Sequence, residues 1–184
     1  MTTKDSILTS EDLIADALAD GHISFREVRG GITRIVYHPS GHTERWSDPE
    51  EKVRAGLFAE LIYRYEYAPP ERIGFEVVVP RRTASDKADL VVYRDDEQKD
   101  PFIVIECKPG GVTDKVFDQA VEQACGNRSN LGAPYAAAVA GLTRRILDFT
   151  SAKVLERNRN RIADLPKRYG KAPDWRYLRG GRRF

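Results

Sequence analysis

Cysteine is scarce in this sequence: two residues in 184, Cys107 inside an apolar run and Cys125 near the end of a helical pattern. Two such positions make no disulfide framework, and the expected location is a reducing one, the cytoplasm. No apolar stretch reaches membrane-spanning length, and the opening MTTKDSILTS lacks the basic-then-apolar layout of a secretory signal, so no membrane association is expected. Gly-x4-Gly-Lys-Ser/Thr is missing, which excludes a P-loop motor, and so is the Asn/Asp-Pro-Pro-Tyr signature of a methyltransferase. Histidine is also sparse. His38 and His42 share a loop-like stretch without a third ligand in register, so no zinc site is expected there.

What is present suits one globular domain with short appendages. A hydrophobic share of 41% and a charged share of 32% fit a soluble fold, and the length is enough to bury a core. The net charge of +2 conceals an uneven distribution. Residues 151–184 carry eleven Lys/Arg against three acids, a surplus of eight, which leaves the first 150 residues at −6. That basic end suits either contact with a polyanion or a solvated linker, and charge alone does not choose.

Along the chain, SEDLIADALADG (10–21) reads as an amphipathic helix capped by Ser10 and stopped by Gly21. A hairpin around Gly30-Gly31 follows. Asp48-Pro49-Glu50-Glu51 is a strong helix start, and the helix is expected to run to Pro69-Pro70, with Glu60 at the rim of its apolar arc. Strands are expected over 73–79, 88–93 and 101–108, the last two pairing as an antiparallel hairpin across RDDEQKD. A helix capped by Thr113 covers 113–127, a buried strand covers 134–141, and RRILDFT is a candidate for one more. The expected architecture is α/β: a central mixed sheet flanked by helices. Its parts are a helix-and-hairpin extension (1–46), the core (47–150) and a basic tail or linker (151–184).

Within FIVIECKPGG (102–111) an apolar strand ends on two charges. Alternation puts Glu106 and Lys108 on one side and Cys107 with Ile103 and Ile105 on the other. Asp89 opens the preceding strand, and the polar turn between them places it across from Glu106. Two hard carboxylates on neighbouring strands are a usual Mg²⁺ holder, and a lysine beside them faces the metal-bound water. For Glu60 the residue-level reading is a rim glutamate paired with a nearby Lys or Arg; for Gln119 it is a polar residue on a solvated face.

PEEKVRAGLFAELI, ASDKADLVVY, PFIVIECKPG and DQAVEQA, in that order over about residues 47–140, resemble the N-terminal nuclease domain of type I restriction enzyme R (motor) subunits. That domain is one of the PD-(D/E)XK nucleases, so the resemblance implies a restriction-endonuclease-like core. The resemblance implies that Asp89 and Glu106 bind metal, with the Cys107 carbonyl, and that Lys108 is the catalytic lysine. It also implies that Glu60 is the first-helix glutamate of the metal site and that Gln119 opens a Gln-x3-Tyr motif. Gln123 stands at that tyrosine position and Ala88 at the position of the name-giving proline.

The implied activity is Mg²⁺-dependent hydrolysis of DNA phosphodiesters, with Mn²⁺ able to substitute, in a restriction system whose motor, methyltransferase and specificity functions lie in other domains or subunits. Arg81 and Arg82 are candidate phosphate contacts. The alternatives are an inactive nuclease-like DNA-binding or docking module, and a repair or junction-resolving nuclease on the same core.

Overall fold

Thr9 opens the first helix, α1 (Ser10–Ala19): its hydroxyl caps the Asp12 N–H and the Asp12 carboxylate returns a bond to the Thr9 N–H. This reciprocal box displaces the expected cap, Ser10, which has Leu13 three residues on and nothing to return the bond. Residues 9–80, 86–150 and 160–170 are described in this computed structural model.

Three strands follow, β1 (Ile23–Val28), β2 (Ile32–Tyr37) and β3 (His42–Arg45), in one antiparallel sheet. Gly30 and Gly31 make the first turn with φ of +92° and +70°, conformations that cost glycine little. β3 is an addition to the expected hairpin. Its short polar sequence HTER carries no strand signal, and only pairing with β2 orders it.

α2 (Pro49–Tyr63) starts as expected, with Asp48 capping the Glu50 N–H. It is buried on nearly every side because α1 and the small sheet cover what the large sheet does not. Gly56 allows α1 to approach; a Cβ there would lie 3.2 Å from the Ser10 Cβ. The helix ends at Tyr63, short of the prolines. Tyr65 and Tyr67 then turn inward, fully buried, their hydroxyls bonded to Asp164 and to the Pro166 carbonyl.

That contact involves part of the expected tail, of which residues 151–159 and 171–184 lie outside the described residues. Residues 160–170 fold back on the core, with Leu165 buried and Tyr169 against Tyr67 and Phe102. The central sheet contains β4 (Ile73–Val78), β5 (Lys87–Tyr93), β6 (Pro101–Lys108), β7 (Tyr135–Ala140), β8 (Thr143–Asp148) and β9 (Arg161–Ile162), side by side in that order. Every pairing is antiparallel except β6 with β7, which α3 (Asp114–Leu131) joins as a crossover. α2 packs on one face against Ile103, Ile105 and Cys107; α3 packs on the other through Phe117, Ala120 and Val121. The result is a mixed central sheet flanked by helices, with an N-terminal helix and small sheet.

Candidate active site

The site forms where β4, β5 and β6 run side by side. Leu90 pairs with Ile105, so one register step further Asp89 faces Glu106, as the hairpin requires. Phe75 pairs with Leu90 and Val77 with Ala88, so Glu76 lies across from Asp89 on the other side. Three acidic residues thus form a row over three strands. Glu76 has φ +48°, a conformation a non-glycine residue adopts only when its surroundings hold it there.

What holds these carboxylates together is an arginine that sequence reasoning passed over. Arg54 of α2, 5% exposed, places its guanidinium 3.0 Å from Glu51, 3.0 Å from Glu76, 3.2 Å from Asp89 and 3.6 Å from Glu50. Burial opposes its charge, but the surrounding carboxylates outweigh that and keep its pKa above the ordinary value. Glu51 also accepts a bond from the Tyr37 hydroxyl at 2.5 Å, which ties the small sheet to the same cluster. His42, Glu44, Glu50, Glu76 and Lys87 line a cleft of about 290 Å³ at this place.

Asp89 is nearly buried; its second oxygen accepts the Cys107 backbone N–H at 2.6 Å. The Cys107 side chain lies in the core, as alternation predicts, and burial pushes its thiol far above the ordinary range. Glu106 is fully buried. One oxygen accepts from Asn127 of α3 at 2.8 Å, and the other, Oε2, has no partner. Burial, reinforced by Asp89, pushes its pKa up to about 9. Lys108 emerges at the strand end, 3.4 Å from Glu50. Burial works against its charge, yet Asp89, Glu50 and Glu106 hold its pKa above the ordinary value, so it is an ammonium.

Asp89, Glu106 and Lys108 are therefore brought together, and two other expected members are not. Glu60 lies ten residues along α2 from Glu50 and is held by Arg64 at 2.8 Å and by Arg144 at 2.5 Å. The glutamate of this helix that reaches Lys108 is Glu50, in the first turn. Gln119 is exposed on α3 and bonds none of the three; the α3 residue that touches the site is Asn127, two turns on. Arg81 and Arg82 lie outside the described residues. Neither Arg54 nor Asn127 had a motif to mark it. Glu76 had one usable signal, a glutamate within the apolar run IGFEVVV.

Hard oxygen donors and an unpartnered buried carboxylate oxygen suit a divalent cation such as Mg²⁺. Among the described residues, no three His, Cys, Asp or Glu side chains already converge as ligands, because Arg54 is the cation they surround. The donor chemistry fits a divalent metal, while Asp89 is engaged by Arg54.

A mixed sheet flanked by helices, with a helix crossing between its two parallel strands and an Asp–Glu–Lys group at one end, defines the class as an α/β domain. The family described as type I restriction enzyme R protein N terminus matches residues 49–166, more than half of the sequence, and the chain belongs to it. No curated protein and no solved structure matched the chain. Among the described residues, no helix is long and apolar enough to cross a membrane.

Proposed function

We propose that this domain is a Mg²⁺-dependent endonuclease that hydrolyses DNA phosphodiesters within a restriction system. Asp89, Glu106 and the Cys107 carbonyl would hold the metal, and Glu50 takes the supporting place expected of Glu60. The observation that carries this reading is Glu106: fully buried, one oxygen unpartnered, facing Asp89 and next to Lys108. A buried acid pressed against a second carboxyl group is costly, and a domain that only docks on DNA has no reason to keep one.

When bound, Mg²⁺ lowers the pKa of a water and offsets charge on the scissile phosphate. The residues of this chain set the rest. Lys108, held as an ammonium, stabilises negative charge that builds on the phosphate and orients the attacking water. Glu50 fixes the lysine by its ion pair, and Asn127 fixes the Glu106 carboxylate from behind. Motor, methylation and target-recognition functions would lie in other domains or subunits, as the multi-subunit character of the restriction-enzyme family suggests.

Plasmid cleavage in Mg²⁺, Mn²⁺ or EDTA tests this. Wild-type cleavage that EDTA, Asp89→Ala and Lys108→Ala each abolish is the expected result. Nicking that persists in either variant or in EDTA overturns the assignment.

A further inference from the structure

The small N-terminal sheet lies ahead of the family match, which begins at residue 49, and the chemistry above leaves its outer face without a role. Its register puts Arg26 opposite Arg34, and Arg34 opposite Arg45. Three guanidiniums therefore stand in one row across three neighbouring strands, about 10 Å from first to last. Arg26 and Arg45 are exposed and Arg34 is half-buried, and none pairs with a carboxylate among the described residues.

Strand alternation sends Glu27 and Glu44 to the opposite face with the buried Ile23, Ile35 and Tyr37. Like charges directly opposite one another destabilise a sheet, so an unneutralised row has no structural purpose. The same face adds hydroxyls beside the row: Ser24, bonded to His38 at 2.9 Å, and Thr43, paired with Val36. Guanidiniums that can grip phosphate oxygens bidentately, flanked by hydroxyls, have the chemistry of a nucleic-acid backbone contact.

We propose that this face, turned away from the acidic cleft, binds the sugar-phosphate backbone of duplex DNA. The inference rests on the nuclease reading for its choice of duplex DNA, and its occupant is argued from charge complementarity. The opposite face of the same sheet supplies His42 and Glu44 to that cleft, so the row and the site share one layer. The contact is sequence-independent and sensitive to salt.

The test is fluorescence anisotropy of the whole chain with a labelled duplex of about 30 base pairs in EDTA, over about 50 to 200 mM KCl. Arg26→Gln/Arg34→Gln/Arg45→Gln is compared with wild type and with the matching triple lysine variant. Three lost phosphate contacts flatten the salt slope by about 2.7, so the fall in affinity across that range shrinks by about 40-fold. The lysine variant, which keeps the charge, retains the wild-type slope. An unchanged slope in the glutamine variant overturns the proposal, as does a wild-type chain that fails to bind duplex at the lowest salt or that prefers RNA or an acidic protein. Binding in EDTA is read apart from cleavage, so failure of the arginine row is distinguishable from failure of the Lys108 chemistry.

Discussion

Replacing Glu106 by glutamine should make the metal-free protein more stable. The carboxyl is fully buried, faces Asp89 and has a pKa of about 9 in the fold, against an ordinary 4.5. A raised carboxyl contributes stability that is whole below the unfolded value and is lost as pH rises through the folded one. Well below pH 4.5 both states are protonated and the variant and wild type should match, and above 4.5 only the unfolded chain ionises. Each further pH unit costs the wild type about 1.4 kcal/mol, so the gap at pH 7 approaches about 3 kcal/mol, or roughly 6–12 °C for a chain of this length.

Glutamine keeps an oxygen for Asn127 and turns a neutral amide toward Asp89. Urea denaturation in EDTA at several pH values measures the gap. Mg²⁺ at 100 times its Kd should then restore about 2.7 kcal/mol to wild type and nothing to the variant. A gap that stays flat between pH 5 and 8, or a glutamine variant less stable than wild type at pH 7, refutes the reasoning.

Glu60→Gln removes the carboxylate shared by Arg64 and Arg144, so it should lower stability by about 1–3 kcal/mol while cleavage and Mg²⁺ binding stay at wild-type levels; denaturation beside a cleavage assay separates the two. Arg54→Met strips the cation from Glu51, Glu76 and Asp89 and should cost about 3–5 kcal/mol in EDTA, with Ca²⁺ restoring more stability to the variant than to wild type in a thermal melt.

The parts legible in the sequence are those set by short-range chemistry. Caps and punctuation placed α2 and α3 at Asp48 and Thr113, and alternation along FIVIECK with the turn before it set Glu106 against Asp89. The remainder depends on how elements cross. Which glutamate of α2 meets Lys108 is decided by the tilt of that helix over the sheet, and periodicity is silent on tilt, so Glu50 rather than Glu60 reaches the lysine. Asn127 is selected by the path of α3, and β9 by a backbone that returns over Tyr65 and Tyr67 after a break in pattern. The pairing the residues themselves favoured for Glu60, a basic partner, is the one the fold contains, and Gln119 lies on an exposed face of α3.

Arg54 has a consequence for the order of events in the life of the chain. Domains whose ligands repel one another until an ion arrives can complete folding only where that ion is supplied. Here the counter-charge is encoded in the polypeptide, so collapse around Asp89, Glu51 and Glu76 proceeds in ion-free surroundings. On the metal-binding reading proposed above, loading would exchange one cation for another.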